Sequence, residues 1–300
     1  MITKLEQMFE ALNNKAKKKL VAAWANDSHT IEAVSMAIDK GVIDGVLVGD
    51  KDVIKATCEH EGIDINKFEI VHASTDVEAA AKAVELVATG AGDVLMKGLL
   101  STDKYMRAIL NKEFGLLPPK GILSHVTVIE NPKYHKLLVV GDVAVIPQPD
   151  LKQKIAITNY LVHAAKSLGI EKPKVAVIAA SEQVMPGLPA SADATILSKM
   201  ADRGQIKGAF VEGPLALDLA VDKESAKVKK IESEVAGDAD CLLFPNIEAG
   251  NVFYKTCTKL SDTELGAVVA GAKVPAVLSS RGDSTQTKLY SIALAALMAN

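Results

Sequence analysis

Short apolar runs that end in glycine or a charge alternate along the chain with stretches whose apolar residues recur every three or four positions. The runs read as strands buried on both faces and the periodic stretches as amphipathic helices, so the pattern predicts βα units and mostly parallel sheets. Gly45-Val46-Leu47-Val48-Gly49 is one such strand, with Asp50 placed to cap the next helix and Gly62 to stop it. FEIVHA predicts a second strand, Thr75 and Glu78 have capping-box spacing before an Ala-rich helix, and Gly90 to Gly92 close it. DVLMKG follows as the next strand, and Ser101 or Thr102 opens a helix carrying Tyr105, Arg107 and Ile109.

The middle of the chain breaks this rhythm. VTVIE, KLLVVGD and VAVIP lie close together, with Asn131-Pro132 between the first two, which predicts a change of connection or an antiparallel edge. Beyond them the pattern gives a long helix from Leu151 to Leu168, the strand KVAVIAAS, a loop rich in Pro and Gly, and a helix near Ala194 to Ala201. The strand GAFVEGPL, a charged helix over 223–235 and the strand DCLLFPNI come next. Glu248-Ala249-Gly250-Asn251 leads into another helix, VPAVLSS is the last strand, and Ser284 begins the last helix. A domain boundary is expected near Pro118-Pro119, and internal repeats are not evident.

Composition narrows the classes. With 300 residues, 49% of them hydrophobic, the chain can bury a large core, as one large domain or two. A net charge of −3 supplies no general field for nucleic acid, so an anionic ligand must be held by a few local cations. The start, MITKLEQMFEALNNKAKKKL, lacks the apolar stretch of a secretory signal, and its Lys run is read as a solvated helix end. LGAVVAGAKVPAVLSS is interrupted by Lys273 and Pro275 and is short for a bilayer span. Cys58, Cys241 and Cys257 form no CxxC or metal pattern and suit a reducing compartment. The expectation is a cytoplasmic protein without nucleic-acid or membrane partners.

In open α/β sheets, ligands gather where strands end in loops and helix N-termini. Four such ends carry polar residues: Lys97-Gly98 with Ser101-Thr102, Ser181-Glu182, Asn246 with Glu248 and Asn251, and Ser279-Ser280-Arg281-Gly282. The last joins two hydroxyls and a guanidinium to a glycine turn and a helix start, which suits an oxyanion. Its plain alternative is that Ser280 and Asp283 cap the last helix while Arg281 meets a surface carboxylate. Arg281-Gly282-Asp283 also spells an adhesion tripeptide, a reading that carries little weight because a tripeptide arises easily by chance and the expected compartment argues against it. Lys97 either reaches a ligand phosphate or snorkels to solvent. The histidines show no HxxxH or HExxH spacing, and neither GxxxxGK[ST] nor a GxGxxG after a strand occurs.

Taken together, LMKGLLSTDKYMRAIL, SHVTVIE, GDVAVIPQPDLKQKIAI, KVAVIAASE, GAFVEGPLALDLAV, LLFPNIEAGNVFYK and SSRGDS resemble the phosphotransacylase family, most of all its butyryl branch, over nearly the whole chain. The resemblance implies an isocitrate/isopropylmalate dehydrogenase-like α/β fold. In it two αβα domains flank an interdomain cleft, residues 1–120 with 271–300 forming the first and 121–270 the second. It implies an acyltransferase acting on acyl-CoA and inorganic phosphate as substrates, with no cofactor or metal, working as a homodimer or higher homo-oligomer. Ser280 and Arg281 fall on the family's catalytic Ser-Arg, and Arg107 on a contact to the phosphates of coenzyme A. Lys97, Ser101, Thr102, Asn246, Glu248 and Asn251 join Arg107 as candidate substrate-binding residues.

One position departs from the family. Counting without gaps places Thr287 where the acetyl branch carries a catalytic Asp. Asp283 is the nearest carboxylate and a candidate catalytic residue, although its place in the turn fits a cap better. The rival expectations are a phosphate acetyltransferase, an NAD-linked dehydrogenase of the isopropylmalate type, and a coenzyme A-binding protein without catalysis. The dehydrogenase needs clustered metal-binding Asp residues and an Arg-rich helix, and neither pattern is present.

Overall fold

The computed structural model describes residues 1–278 and 283–299. Glu6–Leu123 and Leu265–Asn300 make one compact unit, and Met1–Leu5 with Ser124–Glu264 the other.

The first unit opens with α1 (Gln7–Asn13), β1 (Lys18–Ala23), α2 (Ser28–Asp39), β2 (Ile43–Gly49) and α3 (Lys51–Glu61). β3 (Phe68–His72), α4 (Asp76–Ala88), β4 (Val94–Lys97) and α5 (Thr102–Leu110) follow. The caps are those the sequence predicts. Asp50 accepts from the amides of Asp52 and Val53, α3 stops at the left-handed Gly62, and Thr75 accepts from the Glu78 amide. Glu78 itself reaches back to the Ser74 amide, one residue before the cap. The Lys run is a correction: Lys18 and Lys19 begin β1 rather than ending a helix, because the four residues after them are wholly buried. Four consecutive buried positions mean that both faces of the strand are covered.

The second unit holds β5 (Ser124–Glu130), β6 (Leu138–Gly141), α6 (Leu151–Ser167), β7 (Lys174–Ile178), α7 (Pro189–Asp202) and β8 (Phe210–Leu215). Two short helices, α8 (Leu217–Val221) and α9 (Lys223–Val228), lead to β9 (Cys241–Leu243) and α10 (Ile247–Leu260). Its strand order is β5-β6-β9-β7-β8, antiparallel only between β5 and β6. VAVIP is not a strand, since its amides turn around the Asp142 carboxylate. The charged helix over 223–235 ends at Val228, and Lys230 takes φ 55°. The helix expected near Ala194 starts earlier, at Pro189, a residue suited to a first turn.

The chain then returns to the first unit with β10 (Glu264–Ala270), β11 (Ala276–Val277) and α11 (Thr285–Met298). The order there is β3-β2-β1-β4-β11-β10, parallel except for β10 against β11. The apolar passage that begins at Leu265 is thus split between β10 and β11, and no helix among the described residues is long and apolar enough to cross a membrane. α11 is buried from Lys288 to Met298 and packs on α2 and α1, while α4 lies on β1 and β2 beside α5.

Candidate functional site

In the first unit, β1, β4 and β11 lie side by side and parallel, so their carboxyl ends share one edge. The loop after β4 is tied to the end of β1 by the Gly98 amide on the Ala23 carbonyl and the Leu99 amide on the Trp24 carbonyl, both 2.9 Å. A Cβ at Gly98 would collide with those two carbonyl oxygens, so only glycine allows this approach. Lys97 is 4% exposed, and its ammonium donates to the carbonyls of Gly98 and Leu100, each at 3.1 Å. It does not snorkel, because the loop's carbonyls draw the charge inward.

Ser101 caps α5 by accepting from the Lys104 amide, and Ser101 and Thr102 are exposed at the helix start. Arg107, with a side chain 79% exposed, donates from Nε to Asp103 at 3.1 Å. Between α4 and α5 runs a groove of about 370 Å³ floored by Val77, Ala80, Ala81 and Ala108, with Lys104 and Arg107 in its walls. Lys104 is paired with Asp76 at 2.6 Å.

The hydroxyl of Tyr105, wholly buried, donates to the carbonyl of Val277 at 3.2 Å, which ties α5 to the end of β11. Burial pushes the Tyr105 phenol well above its usual range, so it stays a donor. Ser280 and Arg281 lie outside the described residues. Asp283 is described, and it is not the helix cap: Ser284 accepts from the Thr287 amide at 3.1 Å. Ser284 stands three residues before that amide with extended backbone, which is the geometry a cap needs. The Thr287 hydroxyl lies 3.0 Å from that of Ser284, so Thr287 belongs to the same cap.

In the second unit, the loop after β6 is organised by Asp142. Its buried carboxylate accepts from the Ser124 hydroxyl at 2.9 Å and from the amides of His125, Ala144, Val145 and Ile146 at 2.8–3.3 Å. Asn246 caps α10 through the Ala249 amide, and Asn251 donates to the Val143 carbonyl at 3.1 Å. A Cβ at Gly250 would strike the Asp142 carbonyl oxygen, so α10 also leans on that loop through a glycine. Asn246 and Asn251 therefore have scaffold bonds, and Glu248 stands exposed in the first turn of α10. At the end of β7, Lys229 pairs with Glu182 at 3.1 Å. Bonds from the Glu182 backbone amide and from Lys229 hold that carboxyl below its usual range.

Asp142 was not picked out by the pattern of the sequence, although Gly141-Asp142 repeats the signal of Gly49-Asp50 at the end of an apolar strand. Asn26 and Asp27 were missed with β1. Asn26 accepts from the Asp50 amide at 3.0 Å, and Asp27 caps α2 with one oxygen. The other Asp27 oxygen is buried with no hydrogen-bond partner among the described residues. Burial raises the thiol pKa of all three cysteines, which disfavours a thiolate nucleophile.

Residues 3–83 and 76–296 match the family described as "Phosphate acetyl/butaryl transferase". The phosphate butyryltransferase of Clostridium acetobutylicum is 48% identical over 299 residues, 100% of this chain and 99% of its own. The phosphate acetyltransferase of Thermotoga maritima is 42% identical, covering 98% of this chain and 99% of its own. Among solved structures, a branched-chain phosphotransacylase from Enterococcus faecalis V583 superposes with a TM-score of 0.81 at 31% identity, over 94% of this chain and 98% of that one. With a family match along nearly its entire length and such relatives, the chain belongs to the phosphate acetyl/butyryl transferase family, the phosphotransacylases.

Proposed function

We propose that this chain moves a butyryl, or another short or branched acyl group, reversibly between coenzyme A and inorganic phosphate. Acyl-CoA plus phosphate gives acyl phosphate plus free coenzyme A. The observation that carries this reading is the 48% identity, end to end, with a protein named phosphate butyryltransferase. A second reading, acetyl transfer, is favoured by the Thermotoga maritima relative at 42% identity. One or two methylenes in an acyl pocket are worth only about 1–3 kcal/mol each, so the two readings differ in degree.

The reaction brings together two anions, phosphate and a thioester on a polyphosphorylated carrier, and their repulsion must be offset by cations. Arg281 takes this role at the reacting centre, where its planar fork matches two phosphate oxygens. A phosphate oxygen attacks the thioester carbon, the carbonyl oxygen gains charge, and the Ser280 hydroxyl donates to it. The carbon–sulfur bond then breaks, and the thiolate leaves and takes a proton from solvent. In reverse the thiol loses its proton, and Asp283 is the carboxylate offered for that step. Attack is direct in a ternary complex, with no acyl-enzyme.

Arg107 holds phosphates of coenzyme A, and the apolar groove beside it accepts neighbouring parts of the same molecule. Ser101, Thr102 and Glu248 present exposed polar groups to substrate. Lys97, Asn246 and Asn251 act on substrate through the loops that they brace. A cytoplasmic location and a homodimer or larger homo-oligomer complete the proposal, and sedimentation of the purified protein tests the assembly. The test of function is thiol release from acetyl-, butyryl- and branched acyl-CoA with phosphate. A higher kcat/KM for butyryl- or branched acyl-CoA supports the first reading, a higher value for acetyl-CoA the second, and no release with any of them refutes both.

A further inference from the structure

A cleft of about 540 Å³ lies along α9 in the second unit, and none of its lining residues is assigned to acyl transfer above. Lys223 and Lys227 stand four apart on α9 and so share a face, and Lys230 follows in the left-handed conformation just beyond the helix. The segment that closes the cleft returns at Gly237, where a Cβ would run into the backbone of Lys223. At its floor Lys174, the first residue of β7, is neutralised by Asp238 at 2.7 Å.

Lys223, Lys227 and Lys230 are different. Among the described residues none of them takes part in an ion pair, although Glu232 and Glu234 border the same cleft. Three like charges lining one cleft repel one another, and a polyanion bound among them would relieve that repulsion. The volume falls within the range of small-molecule sites, roughly 300–1,000 Å³. Ala226, Ile231 and Ala236 give it apolar surface, and the two glutamates can accept from vicinal hydroxyls. Cations, carboxylates and apolar wall together match phosphates, a ribose and a base.

We propose that this cleft binds a nucleoside di- or triphosphate, with its phosphates on Lys223, Lys227 and Lys230 and its ribose hydroxyls on Glu232 and Glu234. It shares no residue with the proposed acyl-CoA site, so the proposal does not rest on which acyl group the chain transfers.

Calorimetric titration of the full chain with ADP and ATP tests it, comparing wild type with a Lys223→Gln, Lys227→Gln, Lys230→Gln variant. The expected result is saturable binding that weakens by about tenfold or more in the variant. Binding should also weaken on raising salt and persist when coenzyme A is saturating. The lysines are exposed, so the variant should keep its circular dichroism; should it unfold, the single Lys227→Glu change must give the same loss of binding. No saturable binding at about 5 mM nucleotide, equal affinity in a folded variant, or displacement by coenzyme A would overturn the proposal.

Discussion

Tyr105 on α5 gives its buried hydroxyl proton to the carbonyl oxygen of Val277, the last residue of β11, at 3.2 Å. The bond joins the helix that carries Arg107 to the strand that leads toward Ser280 and Arg281. Tyr105→Phe would remove that bond while Val277 stays paired with Met96 in the ladder to β4, at a cost of about 0.5–1.5 kcal/mol. We expect a lower urea midpoint with an unchanged m-value, together with a fall in kcat. Full stability in the variant would show that the bond contributes nothing.

Arg107 is mostly exposed and its pair with Asp103 is of the surface kind, so removing it should barely touch stability. If it holds a phosphate of coenzyme A, Arg107→Gln raises KM for acyl-CoA by about tenfold and leaves kcat and KM for phosphate near wild type. Steady-state kinetics with each substrate varied in turn would read this. An unchanged KM for acyl-CoA would remove Arg107 from the site.

Asp142 gathers one hydroxyl and four amides around one carboxylate. Asp142→Ala strands those donors in a buried loop, for a predicted loss of about 3 kcal/mol or more. Denaturant unfolding measures it, and a loss below about 1 kcal/mol would mean that water replaces the carboxylate easily.

Asp238 gives a pH dependence. Burial disfavours its charge, but the ammoniums of Lys174 at 2.7 Å and Lys136 at 3.2 Å outweigh burial and hold its carboxyl well below the usual range. An unfolded Asp titrates at about 3.9, so the pair's contribution is complete above that pH and is lost as pH falls below it toward the folded value. Thermal melts from neutral pH downward should show wild type losing stability in that acid window, with a shallower loss in Asp238→Asn. Identical acid slopes would rule out the pair as their source.

Much of the fold was legible because local chemistry and tertiary structure agree at Asp50, Gly62, Thr75 and Ser101, where caps and stops fall as their residue types require. β1 was hidden because lysines at its start look like a solvated helix end, and burial of the next four residues is a tertiary fact. VAVIP has the composition of a strand, yet a buried carboxylate one residue earlier offers its amides a better partner. The charged stretch after α9 keeps apolar residues at helical spacing, Val228, Ile231 and Val235, yet Lys230 turns to φ 55° and the helix ends at Val228. At the candidate site, sequence found the strand ends but not their bonding. That Lys97 turns inward to two carbonyls, or that Ser284 rather than Asp283 caps α11, depends on backbone placed by distant strands.

The central claim is acyl transfer to phosphate through Arg281. Wild type and Arg281→Ala should be incubated with saturating butyryl-CoA and varied phosphate, following free thiol and acyl phosphate together. The account predicts equal amounts of both products, strict dependence on phosphate, and a loss of about 100-fold or more in kcat/KM for phosphate in the variant. Thiol release without phosphate, or a variant with unchanged kcat and phosphate dependence, would contradict it.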